Sequence, residues 1–274
     1  MSDDERPHSS LIPVLIAAAA VLVASGAIVV GLWHSLSAPS TTATETRIPG
    51  PGIAKPITPS APVSARAADQ RGPRLSKSAG KPLKAAHDAL DAKNYQDAIS
   101  KLKEVEALPN RTPFDTHVMN ELFGVAYVRT KDYVEAAKYL EPGVADGFLK
   151  PQDLNTRIKA LAQINYQVKN YDKTIDYGTR AVKGGFADDD MYILVSQAYY
   201  LKGDNKGTIQ FTDPYIDSIV RKGQMPKEEL MQLVLSSCTK LEDMSCQTRA
   251  LDELVTYYPK LEYQRELNRL RAAQ

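Results

Sequence analysis

The sequence predicts an all-α protein: a helical-repeat solenoid of about five helix pairs with a C-terminal capping helix, behind one transmembrane helix and a disordered tether. Three observations predict it. A hexapeptide-like pattern returns at a nearly fixed interval across residues 81–260, an uncharged apolar run fills residues 11–33, and residues 34–80 are rich in Pro, Ser, Thr and Ala.

Residues 1–10 form a short polar tail holding Asp3, Asp4 and Glu5 against Arg6. From Leu11 to Trp33 come 23 residues without a charge, and the run's one proline, Pro13, sits in the first turn, where it is tolerated. As a helix this stretch spans about 34 Å, enough for a hydrocarbon core of about 30 Å. Trp33 and His34 stand at its far end, where amphipathic rings are favoured. A cleaved signal peptide would have an apolar region of only about 7–15 residues behind a basic leader. The longer run and acidic leader therefore favour an uncleaved single-span anchor over cleavage at Ser35-Leu36-Ser37.

Residues 34–80 show no apolar period and cannot bury a core, so they read as a disordered tether. A flexible coil of that length reaches about 37 Å root-mean-square, and a polyproline form up to about 140 Å. Such a tether after one apolar span is similar to those holding domains outside the bacterial inner membrane. Flanking charges are nearly balanced, with Arg6 on one side and Arg47 and Lys55 on the other, so they do not set the orientation. Export of the repeat domain to the periplasm is the expectation, resting on the tether and the cysteines.

The repeats occupy residues 81–260. Asn94-Tyr95-Gln96-Asp97-Ala98-Ile99 recurs as Asp132-Tyr133-Val134-Glu135-Ala136-Ala137, as Asn170-Tyr171-Asp172-Lys173-Thr174-Ile175, and more loosely as Asp204-Asn205-Lys206-Gly207-Thr208-Ile209. The intervals are 38, 38 and 34 residues, within the range of stacked helical repeats. Nine positions before the turn residue stands a small side chain (Ala86, Gly124, Ala162, Ser196), and three after it another (Ala98, Ala136, Thr174, Thr208). Small residues there let two antiparallel helices approach closely. The pattern resembles the tetratricopeptide repeat (TPR) family, membrane-anchored bacterial type, and the resemblance implies helix pairs stacked in a right-handed superhelix.

Pair by pair, the first runs from about Pro82 to Glu106, with Pro82 as the helix start. The second runs from about Phe114 to Ala145, the third from Leu154 to Val182, the fourth from Asp190 to Lys222. The fifth comprises Glu228 to Leu241 and Gln247 to Tyr258. Pro142 and Pro214 each stand nine residues after their repeat's turn position, so a bend or early end is expected in both second helices. Residues 261–274 form the capping helix, with Tyr263, Leu267 and Leu270 in one apolar stripe.

Composition narrows the function classes. The chain carries 34 basic and 33 acidic side chains, and from residue 75 onward the two signs balance. The repeat domain thus lacks the basic footprint of nucleic-acid binding. Asp188-Asp189-Asp190 precedes an apolar helical run and reads as an N-cap with favourable dipole placement rather than a cation site. No Gly-x-Ser-x-Gly elbow, His-Glu-x-x-His or phosphate loop appears, and Gly80-Lys81-Pro82 lacks the needed hydroxyl. The sequence therefore reads as no enzyme, with no cofactor, no metal and no small-molecule substrate. His8, His34, His87 and His117 are scattered. Cys238 and Cys246, the only cysteines, flank a turn; they pair as a disulfide in an oxidising compartment or stand as two buried thiols in a helix interface.

Resemblance to the TPR family implies that the inner face of each first helix meets a protein or peptide. Those positions here are Leu83, His87 and Asp91; Glu121, Val125 and Arg129; Lys159, Gln163, Tyr166 and Gln167; Ile193, Gln197 and Tyr200. Gln and Tyr give hydrogen bonds and flat contact area at modest entropic cost. The family's carboxylate clamp wants Lys and Asn where Leu83 and His87 stand, which speaks against chaperone-tail capture. The expected function is a non-catalytic scaffold at the bacterial inner membrane, held through Leu11 to Trp33 and binding a protein partner in envelope assembly. The alternative is an accessory or regulatory subunit of a membrane enzyme complex acting through its transmembrane helix.

Overall fold

The structure is a computed structural model and describes residues 73–273. The apolar run, the tail and most of the tether lie outside those residues. Among the described residues no helix is long and apolar enough to cross a membrane. Eleven α-helices and no strand are found there. They fall into two compact units, residues 73–153 and 154–273.

In the first unit, α1 (Lys77–Asp91) and α2 (Tyr95–Glu106) form a hairpin, and α3 (Pro113–Arg129) packs on both. Then α4 (Tyr133–Leu140) folds back on α3. The core joins Leu83, Ala86, Leu102, Val105, Val118, Leu122 and Phe123. Phe123 stacks on Tyr139 at 4.2 Å between ring centroids, and the Tyr139 hydroxyl donates to Glu106 at 3.1 Å, tying α4 to α2. Arg111 donates from one guanidinium nitrogen to the carbonyls of Val105 (3.1 Å) and Leu108 (3.0 Å), serving the C-terminal end of α2.

In the second unit, α5 (Pro151–Gln167) and α6 (Tyr171–Lys183) are succeeded by α7 (Asp189–Lys202) and α8 (Asn205–Arg221). Next come α9 (Glu228–Lys240), α10 (Met244–Tyr257) and α11 (Leu261–Ala272). Each of α6/α7, α7/α8, α8/α9, α9/α10 and α10/α11 is a packed pair, and α9 also packs on α7. Tyr263, Leu267 and Leu270 of α11 are buried against the last hairpin, as their stripe predicts. The Tyr263 hydroxyl meets Glu228, and Gln232 donates to it at 2.6 Å. The outer side of α11 carries exposed Glu262, Arg265 and Arg269, a polar end to the array.

The period has a backbone cause. Five inter-helix turns place one residue in the left-handed region two positions before the turn residue: Lys93, Lys131, Lys169, Gly203 and Glu242, with φ between 56° and 86°. The next residue's N–H then returns to the carbonyl five back, Asn94 to Ala89, Asp132 to Tyr127, Asn170 to Asn165, Asp204 to Tyr199 and Asp243 to Cys238. That is the 6→1 closure of a helix C-terminus. Four of those residues, Asp132, Asn170, Asp204 and Asp243, also cap the following helix by side chain. One dipeptide thus ends one helix and starts the next. The small residues at both flanking positions are all buried, from Ala86 and Ala98 to Ser196 and Thr208.

Two expectations about helix ends are corrected. The first helix starts at Lys77, not Pro82, because Ser76 accepts the Ala79 N–H as an N-cap; residues 77–80, assigned to the tether, are helical. Pro82 lies inside that helix. Pro142 does end its helix: α4 stops at Leu140 and a 3₁₀ turn, Pro142–Val144, comes after it. Pro214 does not, since α8 runs on to Arg221. Beyond Pro142 come Gly143 and Gly147, poor helix formers. Beyond Pro214 come Tyr215, stacked on Tyr192 at 3.6 Å, and buried Ile216, whose packing holds the helix together past the lost hydrogen bond.

Candidate partner-binding faces

The two units treat the expected positions differently. In residues 73–153, Leu83 is fully buried, His87 is 7% exposed and Glu121 is 3% exposed. Val125 is half-buried, leaving Asp91 and Arg129, at the helix ends, as the exposed members of this set. The α3 helix is buried along most of its length, and polar Asp115, His117 and Glu121 are enclosed with its apolar side chains. His87 also sits 3.2 Å from the Asp91 carboxylate.

In residues 154–273 the same positions form a more open row. Lys159, Gln163 and Tyr166 of α5 are half-buried and Gln167 is exposed. On α7, Ile193 and Gln197 are buried while Tyr200 is half-buried. Successive first helices are joined through these side chains. The Tyr166 hydroxyl donates to Gln197 Oε1 at 3.0 Å, and Lys159 pairs with Asp188. Lys240 of α9 places its ammonium 4.1 Å over the Tyr200 ring. Burial, reinforced by nearby Tyr171, pushes the Tyr166 phenol upward, so it stays a hydrogen-bond donor. Burial opposes ionisation of Asp188, but the Lys159 hydrogen bond and the Met191 N–H outweigh it and hold the carboxyl below its usual range. Fixing of aromatic and amide groups in this way lowers the ordering cost of binding.

Asp188 accepts the Met191 N–H at 3.0 Å and so caps α7, as its position in the acidic triplet predicts. Among the described residues no group of three or more His, Cys, Asp or Glu is placed to hold a metal ion. Cys238 and Cys246 are brought together across the α9/α10 turn, with Cα atoms 5.5 Å apart and the sulfur atoms paired.

Several contacts lie beyond what helical spacing predicts. His117, buried in α3, is bonded through Nδ1 to Asp146 at 2.7 Å and packs against Phe114 and Phe148. Among the described residues its Nε2 has no hydrogen-bond partner. The His117–Asp146 pair fastens the segment after Val144. Asp115 accepts the N–H groups of Thr112 and Ser76, both at 2.9 Å. Thr112-Pro113-Phe114-Asp115 is a capping-box spacing, legible in the sequence; its second bond, to Ser76, is tertiary.

No protein-family model matches this chain, and no curated protein sequence matches it. Solved structures do. One is a Podosopora anserina kinesin light chain protein with nearly identical TPR-like repeats, 15% identical, covering 70% of this chain and 92% of its own, with a TM-score of 0.38. Another is Pseudomonas aeruginosa PilF, 14% identical, covering 70% and 97%, with a TM-score of 0.35. A third is a chain of the Naa15/Naa10 assembly bound to HypK-THB, 16% identical with a TM-score of 0.38; the match covers 71% of this chain and 37% of that one. The helical-repeat architecture of the chain rests on its own repeated turn and hairpin geometry.

Proposed function

We propose that the chain is a non-catalytic scaffold, tethered to a membrane through Leu11 to Trp33, that binds a protein or peptide on the first-helix face of residues 154–273. The observation that carries this is the row of Gln163, Tyr166, Gln197 and Tyr200, cross-linked from helix to helix by Tyr166–Gln197 and Tyr200–Lys240. Half-buried aromatics held in place, Tyr166 by its hydroxyl and Tyr200 by its ring, make such a surface rigid before it meets a partner. The apolar span, the tether and the paired cysteines support a periplasmic setting at the bacterial inner membrane and a role in envelope protein assembly.

Changing Gln163, Tyr166, Gln197 and Tyr200 together to Ala tests this reading. The expected outcome is a retained cooperative helical melt with weakened capture of the partner. A retained melt with unchanged capture rejects the face.

A further inference from the structure

The two cysteines are not equivalent. Cys238 lies in α9 with no solvent exposure, packed in the core with Val234, Ala250 and Leu251. Cys246 sits in the first turn of α10 and is partly exposed, beside a rim of exposed Met244, Ser245 and Arg249. Its backbone N–H donates to Asp243 at 2.9 Å, and Arg249 Nη2 stands 3.9 Å from its sulfur. Arg249 also serves Asp213 at 2.6 Å and Glu253 at 3.3 Å, so its charge is shared and access, rather than charge, separates the two thiols.

We propose that Cys246 is the entry point for thiol–disulfide exchange in the folded repeat and that Cys238 is the resolving thiol. The oxidant is an external disulfide, of a small thiol or of a dithiol oxidoreductase. The Cys246 thiolate attacks one sulfur of that disulfide, forming a mixed disulfide and expelling one thiolate. The deprotonated Cys238, held within reach by the hairpin, attacks the Cys246 sulfur, forms the Cys238–Cys246 bond and expels the second thiolate. Two protons leave the protein and two electrons end on the external disulfide. The hairpin fixes the order because an incoming molecule reaches only one of the two sulfurs. This inference stands independently of the partner-binding face.

The full chain, reduced and kept native, is treated with limiting iodoacetamide, and alkylation at each cysteine is tracked by peptide mass spectrometry. Cys246 is expected to react at least about tenfold faster than Cys238, and the ratio to approach unity in concentrated urea. Equal native rates, or faster labelling of Cys238, overturn the proposal. Glutathione disulfide supplies a second arm. Cys238→Ala should keep a glutathione adduct on Cys246, whereas native Cys246→Ala should form an adduct at least about tenfold more slowly. Comparable adduct formation on Cys238 in Cys246→Ala overturns it equally.

Discussion

Asp115 accepts the backbone N–H of Ser76 at 2.9 Å across 39 residues, while Ser76 itself caps α1. The start of the folded array is thereby fastened to the capping box of α3. Burial opposes the Asp115 charge, but the Thr112 and Ser76 N–H groups outweigh it and lower the carboxyl below its usual range. A carboxylate with a lowered folded pKa contributes stability above its unfolded pKa near 4 and loses it as pH falls through the folded value. Asp115→Asn is expected to cost about 1–3 kcal/mol at neutral pH, since it weakens two hydrogen bonds at a buried site. In urea denaturation the gap between the variant and the parent should narrow as pH drops from 6 toward 3. A pH-independent gap would show that the charge contributes nothing.

The turn lysines carry a backbone cost. Lys131 holds φ at 62°, and an L-residue there costs about 1 kcal/mol relative to glycine. Lys131→Gly should therefore raise stability by up to about 1 kcal/mol, partly offset by the flexibility glycine gives the unfolded chain. Gly203, with φ at 86° and open space where a Cβ would stand, is the converse case. Gly203→Ala should lower stability by about 1 kcal/mol through backbone strain alone. Chemical denaturation of both variants checks the pair, and matching signs would refute the shared turn geometry.

Gly124 marks a close approach of α3 and α4. A Cβ there would lie 2.0 Å from Leu140 Cδ2. Gly124→Ala should cost about 1–3 kcal/mol by overpacking. Adding Leu140→Ala should recover part of that loss, giving a non-zero coupling in a double-mutant cycle. Additive effects would mean that the helices simply move apart.

Topology has its own test. Arg47, Arg66, Arg71 and Arg74 precede the first helix, so trypsin should cut there and leave the hairpins. If the repeat domain is exported, treating intact spheroplasts should release a soluble fragment of about 200 residues. Protection until detergent is added would place the domain on the cytoplasmic side.

Much of this fold is legible in the sequence because its period is written in the turn. Four hairpins are marked by Asn- or Asp-led turn dipeptides, three of them ending in Tyr and the fourth Asp204-Asn205, and by the small residues nine before and three after the dipeptide's second residue. All eight of those small residues are buried. The helix start at Lys77 is not legible from Pro82, since proline tolerates the early turns of a helix without defining its first residue. The opposite fates of Pro142 and Pro214 depend on the residues C-terminal to each: glycines in one case, a stacked Tyr215 and buried Ile216 in the other. The site is less legible. Helical spacing puts His87, Glu121, Gln163 and Gln197 on equivalent positions, but burial of His87, Glu121 and Gln197, with Gln163 left half-buried, is a tertiary property that spacing does not encode. Long-range pairs such as His117–Asp146 and Ser76–Asp115 leave no local pattern at all.

The proposed partner-binding face on the first helices of residues 154–273 is tested by a photo-crosslinking amino acid placed at Gln163 of α5 and, separately, at exposed Asp176 of α6. Cells carrying the Gln163 probe should yield a discrete protein adduct that Tyr166→Ala with Tyr200→Ala removes, while the Asp176 probe should not. An adduct from Asp176 alone, or a Gln163 adduct indifferent to both tyrosines, would contradict a binding face on these helices.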